Sequence, residues 1–373
     1  MKFVDLSAQQ GRIRSDIDRR INAVLEHGQY IMGPEIAELE KALADYLGVK
    51  HAISCSSGTD ALMMALMALG IGPGDAVITT PFTFIATAEA VSLVGATPVF
   101  ADIDPRTFNI DPAKIKGGIE YAKKSGLIPK GIITVDLFGL PAEYESIEAI
   151  AKEESLFLIE DACQGFGGEY RGKKLCGFGD FAATSFFPAK PLGCYGDGGA
   201  LFTNDDKLAH IAKSLRIHGT GDSQYDNVRV GINGRMDSIQ AAILLSKLDI
   251  FKDEVEARHR VAAKYTEGLK GVVETPFLPD GMRSGWAQYS VLSDKRDKIR
   301  GQLQKEGIPT AVYYPKPLHL QGAYATLGLS KGDFPVSENA ASRIFSLPMH
   351  PYLGDKEIES VVKAIHRAVK SEG

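Results

Sequence analysis

Residues 76–101 read AVITTPFTFIATAEAVSLVGATPVFA, one complete strand–helix–strand unit. Residues 76–80 form a short β-branched run and residues 97–101 a second, both strand-like. Between them, residues 83–94 carry apolar side chains at helical spacing. The unit recurs downstream: a strand over 131–137, a helix over 142–153 and a strand over 156–159 that ends in Glu160-Asp161. Alternation at this spacing implies a parallel sheet wrapped by helices. Ligands of such sheets bind outside the carboxyl ends of the strands, so the residues just after each strand are the ones to inspect.

Beyond this half the pattern changes. Residues 236–268 read as one long charged helix, suited to linking two domains. Residues 271–373 offer a strand at 287–292 and helices at 295–306 and 356–370, a smaller α+β unit. The chain of 373 residues is long for one core and short for three. The expected division is a large domain over 1–250 and a small domain over 251–373.

Bulk properties exclude several classes. Apolar residues make up 44% and charged residues 24%, close to soluble averages, so disorder and membrane classes lose weight. No run of about 18 apolar residues is present. Residues 1–11 lack the basic-then-apolar build of a signal peptide, which implies a cytoplasmic chain with no membrane partner. A net charge of −5 without a basic stripe argues against nucleic acid. Cys55, Cys163, Cys176 and Cys194 include no CxxC pair, so neither a metal site nor a redox pair is expected.

Three segments carry chemistry. Ser54-Cys55-Ser56-Ser57-Gly58-Thr59-Asp60 follows an apolar run and opens a helix over 61–69. A small-residue turn at a helix N-terminus presents free N–H groups and the positive dipole end, a phosphate site. Plain capping by Ser57 or Thr59 is the simpler alternative. Asp161, ending a buried strand, is a carboxylate that needs a partner: a protonated heterocyclic nitrogen, or a salt bridge to a neighbouring loop. The third segment, residues 184–200, is TSFFPAKPLGCYGDGGA. Lysines are usually solvated, but Lys190 has Phe186, Phe187, Pro188, Pro191 and Leu192 around it. Such flanks desolvate an amine, lower its pKa and make it a Schiff-base nucleophile. The nearby Gly177-Phe178-Gly179-Asp180-Phe181-Ala182 matches a dinucleotide pattern but leads into a strand rather than a helix, so NAD binding is rejected.

With these segments in this order, the chain resembles the DegT-like nucleotide-sugar aminotransferases, a branch of the fold-type I pyridoxal-phosphate (PLP) enzymes. The likeness runs from Val4-Asp5-Leu6 to Leu347-Pro348-Met349-His350-Pro351, and SFFPAKPLGCYGDGGA is its most specific motif. It implies an α/β fold with a mostly parallel seven-stranded sheet flanked by helices and a smaller C-terminal domain. It also implies a site. Lys190 matches the lysine that holds PLP, Asp161 the partner of the pyridine nitrogen, and Gln164 the amide near the phenolic oxygen. Gly58, Thr59 and Ser185 match phosphate contacts, and Phe84 the aromatic over the ring. Asn233 matches an asparagine that reaches the phosphate of a neighbouring subunit, which implies a homodimer with shared active sites.

The segments Phe186-Phe187-Pro188, Gly193-Cys194-Tyr195-Gly196 and residues 1–33 most resemble the branch that aminates UDP-linked 3-keto-2-acetamido-glucuronic acid for surface polysaccharides, with glutamate as the usual donor. A uronate carboxylate calls for a bidentate cation, and Arg235 is the candidate; the alternative is a salt bridge to Asp237 or a nearby Glu. The loop Tyr313-Tyr314-Pro315-Lys316-Pro317-Leu318-His319 resembles the family's substrate loop, giving Tyr314 and His319 as substrate contacts. His319 departs from the uronate branch, which has another polar residue there. Other dTDP-linked keto-hexoses remain alternative substrates. Two rival classes are PLP-dependent sugar dehydratases, whose lysine is replaced by histidine, and PLP-fold sensors without transaminase activity. Lys190 speaks against the first. The lack of a spare DNA-binding segment speaks against the second.

Overall fold

The computed structural model describes residues 1–223 and 225–370. Two helices lead in. α1 (Leu6–His27) is capped by Asp5, whose side chain accepts from the Ala8 N–H at 3.0 Å, and stops at Gly28 in the left-handed region. α2 (Pro34–Leu47) starts on a proline, whose fixed φ suits a first helical position, and ends on Gly48.

The strand–helix alternation then appears as β1 (His51–Cys55), α3 (Gly58–Ala68), β2 (Asp75–Thr79), α4 (Ala86–Leu93), β3 (Thr97–Phe100), α5 (Pro112–Lys124), β4 (Ile128–Val135), α6 (Tyr144–Glu153) and β5 (Phe157–Asp161). A short hairpin, β6 (Glu169–Tyr170) and β7 (Lys173–Lys174), precedes β8 (Phe181–Ser185), β9 (Gly199–Thr203) and α7 (Asp206–Leu215). The central sheet has seven strands in the order β1-β9-β8-β5-β4-β2-β3. All pairs are parallel except those made by β9 with β1 and β8. The fold is the expected α/β architecture. α4 begins later than the pattern suggested, at Ala86, because Pro81 to Ile85 form the lead-in that carries Phe84.

Apolar residues of α3 and α7, among them Leu62, Leu66 and Leu215, cover one face of the sheet with Ile53, Ile133 and Leu201. Ile115 and Ile119 of α5 with Tyr144 and Ile147 of α6 cover the other, against Ile78, Ile132 and Leu158. The long helix α8 (Ser238–Leu269) serves two cores. Its Phe251 and Val255 pack with the large-domain core, and Val261, Tyr265 and Leu269 pack into the C-terminal one. The change of core falls inside a continuous helix, so α8 is a beam shared by the two cores. The C-terminal part adds β10 (Met282–Arg283), β11 (Tyr289–Leu292), α9 (Arg296–Lys305), α10 (Pro335–Arg343), β12 (Ile344–Leu347) and α11 (Asp355–Lys370). β11 and β12 pair with each other, and β10 pairs with β6 of the large domain.

The ends of β4 and β5 also hold a pair of fully buried acids, Asp136 and Glu160. Asp136 Oδ1 accepts from the Ala142 N–H at 2.9 Å and the Tyr144 hydroxyl at 2.8 Å. The Glu160 oxygens accept from the Cys176 N–H at 2.6 Å and the Phe178 N–H at 2.7 Å. Burial and then the charge of Glu160 raise Asp136 well above the carboxylate range; burial lifts Glu160 to about 7. Ionising both would put two like charges into a dry interior, so at least one carboxyl keeps its proton in the folded state. The folded state therefore binds protons more tightly than the unfolded chain. Its extra stability is full below the unfolded carboxylate pKa and is lost as pH rises through the folded value. Denaturant unfolding between pH 4.5 and 8 should thus lose on the order of 3 kcal/mol from this pair. Asp136→Asn, which removes the opposing charge, should flatten that decline. An unchanged slope would show that the decline does not come from this pair.

Candidate active site

The carboxyl ends of β4, β5 and β8 lie level, with Val135 opposite Asp161 and Asp161 opposite Ala183. Above them opens a cavity of about 480 Å³. It receives Gly58 and Thr59 from α3, Phe84 and Thr87 from around α4, Asp161 and Gln164 after β5, Ser185 at the end of β8, and Lys190 from the β8–β9 loop. Tyr314 closes it from the C-terminal side.

The turn into α3 is a donor site. Ser57 caps the helix by accepting from the Asp60 N–H at 3.0 Å, which leaves the Gly58 and Thr59 amides without a hydrogen-bond acceptor among the described residues. So the capping alternative holds at Ser57, and it leaves two amides free for an anion. Glycine is required here: a Cβ at position 58 would lie 2.8 Å from both Cys163 Sγ and Ser185 Cβ. A Cβ at Gly199 would come within 2.4 Å of the Ser57 backbone. Both glycines let α3 seat directly over the ends of β5, β8 and β9.

Asp161 is buried. Oδ2 accepts from the Thr87 hydroxyl at 2.7 Å and Oδ1 from the Cys163 N–H at 3.2 Å, while Thr87 in turn bonds Thr83 at 3.0 Å. Among the described residues no ion pair forms to it, so the salt-bridge alternative fails. Gln164 bridges: its Oε1 accepts from the Phe138 N–H at 2.8 Å and its Nε2 donates to the Tyr314 hydroxyl at 3.0 Å. Phe84 stands exposed at the cavity wall with Tyr314, ring centroids 6.3 Å apart.

Lys190 is half-buried, and its amine makes no hydrogen bond or ion pair among the described residues. Burial pushes it below the ordinary lysine range, against the opposing pull of Cys163 and Asp161. The flanking residues work differently from the sequence expectation. Phe186 and Leu192 turn away into the core beneath, and Phe187 stands exposed at the mouth. They fix the loop; the cavity wall desolvates the amine. The loop is also held from α8, where the Lys247 ammonium donates to the Gly193 carbonyl and Gln240 Oε1 accepts from the Tyr195 N–H at 2.9 Å.

A free, desolvated amine facing a buried, cation-free carboxylate, with open amides at the far end, is the donor set of an amine-transferring site. The sequence profile of the DegT/DnrJ/EryC1/StrS aminotransferases matches residues 11–366. The chain belongs to that family. This aminotransferase is 50% identical over 366 residues to the UDP-2-acetamido-2-deoxy-3-oxo-D-glucuronate aminotransferase of Pseudomonas aeruginosa, covering 98% of this chain and 99% of that one. A pleiotropic regulatory protein of Geobacillus stearothermophilus is 43% identical, with 97% of each chain covered. Among solved structures, an aminotransferase of the same family from Brucella abortus superposes with a TM-score of 0.97 at 54% identity over the full length of both chains. NtdA from Bacillus subtilis, solved with bound cofactor PMP, gives 0.89 at 31% identity, covering 99% of this chain and 83% of that one.

The enzyme is a PLP-dependent aminotransferase, and its cavity fits the cofactor. Asp161 lacks a cation where a protonated ring nitrogen would supply one. Gly58 and Thr59 offer unused amides for a phosphate, and Lys190 offers a free amine. Of the site residues named from sequence, Gly58, Thr59, Phe84, Asp161, Gln164, Ser185, Lys190 and Tyr314 share this cavity. Asn233 and Arg235 do not line it. Asn233 is exposed, and its Oδ1 accepts from Arg235 Nε at 3.0 Å; Arg235 makes no ion pair with Asp237 among the described residues. His319 is placed otherwise than expected. The turn Leu318–Leu320, pinned by the Leu318 N–H on the Pro81 carbonyl, carries the ring inward to a buried position. There it bonds Glu338 at 3.0 Å and packs on Phe334, away from the cavity lining.

Thr87, Cys163, Asp197 and Gln288 line the cavity without having been singled out in the sequence. Only Thr87 had a readable signal: Thr83 and Thr87 are four apart, so a helix from 83 would put both on one face. Among the described residues no helix is long and apolar enough to cross a membrane, and no acid, His or Cys cluster would hold a metal.

Proposed function

We propose that this aminotransferase transfers an amino group from glutamate to the 3-keto carbon of UDP-2-acetamido-3-keto-glucuronic acid. The product would be an amino sugar for surface polysaccharide such as O-antigen, made in the cytoplasm. The observation that carries this reading is the end-to-end likeness to the Pseudomonas aeruginosa enzyme of that activity. The cavity supports it with an open mouth beside exposed Phe84 and Phe187, which leaves room for a nucleotide outside a sugar held at Lys190.

The chain's residues divide the work. PLP, when bound, supplies a carbonyl that takes up the amino group and a ring that accepts electrons. Asp161 would hold the proton on the ring nitrogen, and the Thr87 hydroxyl and Cys163 N–H fix its carboxyl in place. Gln164, fixed by Phe138 and Tyr314, keeps a second Nε2 hydrogen that would serve the cofactor's phenolic oxygen. Lys190, its pKa lowered by burial, carries protons to and from the substrate carbon. The α3 turn and Ser185 would anchor the phosphate. The regulatory relative raises the alternative of a PLP-binding sensor, which would hold the cofactor with the same amine and acid. An absorbance shift on adding glutamate separates the two.

Asn233 and Arg235 belong to a homodimer reading. They lie outside their own chain's cavity, next to exposed Tyr30, Ile31 and Met32, whose segment bridges Asp237 through Ile31. In a dimer they would reach the partner's site, Asn233 at the phosphate and Arg235 at the uronate carboxylate. Leaving that carboxylate unpaired in a partly dry pocket costs roughly 2–5 kcal/mol. Arg235→Ala should therefore lower kcat/KM for the uronate by that amount and spare a neutral 3-keto hexose nucleotide. Because Arg235 also holds Asn233, the ratio of the two substrates is the decisive quantity. Equal losses would take Arg235 out of specificity, and no amination of the uronate by the wild type would overturn the substrate reading itself.

A further inference from the structure

The C-terminal domain sends three residues into the cavity lining, Gln288, Tyr313 and Tyr314. The Tyr314 hydroxyl is already engaged by Gln164. Gln288 differs from its neighbours. Its backbone is fixed just ahead of β11, with its N–H on the Phe138 carbonyl at 3.3 Å. Its Oε1 is buried and has no hydrogen-bond partner, and its amide nitrogen donates to nothing among the described residues. A buried amide oxygen left without a donor costs about 1–3 kcal/mol; the side chain borders both this cavity and a water-sized pocket of about 20 Å³ beside Trp286, and of the two only the cavity can admit a substrate.

We propose that Gln288 is a specificity residue that reads a hydrogen-bond donor on the sugar ring beside the reacting carbon. The inference rests on the keto-sugar reading above. The amino donor does not meet the need: both carboxylates of glutamate only accept hydrogen bonds, and its nitrogen is the atom being transferred. A sugar with a keto carbon carries donors on either side of it, a ring hydroxyl and, in the proposed substrate, an acetamido N–H. Among the described residues Lys190 is the only cationic side chain this chain gives to the lining, so apart from the carboxylate assigned to the partner's Arg235, recognition of the sugar falls to neutral groups such as this amide. Its backbone N–H rests on the Phe138 carbonyl, and the Phe138 N–H donates to Gln164 Oε1, so Gln288 enters the cavity from the side that Gln164 holds.

The test is Gln288→Met, similar in length but with no amide. The two half-reactions are followed separately by absorbance on the holoenzyme. With the UDP-3-keto-uronate, the variant should lose about 10- to 100-fold in kcat/KM. With glutamate it should stay within about twofold of wild type. Thermal stability should hold or rise, because an unsatisfied buried acceptor has been removed; a structural role would lower it. Substrates lacking the 4-hydroxyl or the 2-acetamido group then locate the donor. One of them should be poor for the wild type and cause no further loss in the variant. Losses that multiply for both analogues, or an equal loss in the glutamate half-reaction, would overturn the proposal. A wild type that does not turn over the sugar at all would defeat the substrate reading instead, a result distinct from these.

Discussion

Lys190→Ala is expected to leave a folded protein with no measurable transamination, a loss of more than about 10⁴-fold, since nucleophile and proton carrier go together. The side chain makes no hydrogen bond or ion pair among the described residues, and its backbone N–H on the Phe187 carbonyl survives the change, so unfolding is not the expected cause. Lys190→Arg should be equally inactive. A guanidinium keeps the charge but holds its proton at every working pH, and it is the deprotonated amine that the chemistry needs. In the wild type, the same reasoning places the rise of cofactor-capture rate with pH below the ordinary lysine pKa, because burial lowers Lys190. Activity in either variant close to wild type would move the reactive amine elsewhere.

Asp161→Asn should retain cofactor yet lose on the order of 10²-fold in rate, about 3 kcal/mol of barrier. The substitution keeps volume, and Asn Oδ1 still accepts from the Cys163 N–H or the Thr87 hydroxyl. What it removes is the negative charge that keeps a ring nitrogen protonated. The buried acid has no cation of its own, so neutralising it should not weaken the cofactor-free protein, whose thermal midpoint is the control. A near-normal rate would make Asp161 a structural acid held by Thr87.

The parts legible in the sequence were those with strong periodicity or strong chemistry. β4, α6 and β5 follow from alternation, and Asp161 from its place at a strand end. Lys190 stood out through its flanks, though Phe186 and Leu192 turned out to face the core rather than the amine. The antiparallel insertion of β9 between β1 and β8 was not readable, because register across 150 residues leaves no local trace. Two-residue strands such as β6, β7 and β10 are too short for a period-2 pattern. His319 misled because its distance from Tyr314 along the chain says nothing of the turn at Leu318 that buries it. Thr87 and Gln288 reach the cavity from elements about 200 residues apart, a juxtaposition that only the folded chain creates.

The most direct test of the site is borohydride reduction of the holoenzyme followed by peptide mapping. Reduction makes the lysine–cofactor link permanent, and the label should fall on the peptide containing Lys190 and no other. Label on another lysine, above all the buried Lys247 that supports the same loop, would contradict the assignment.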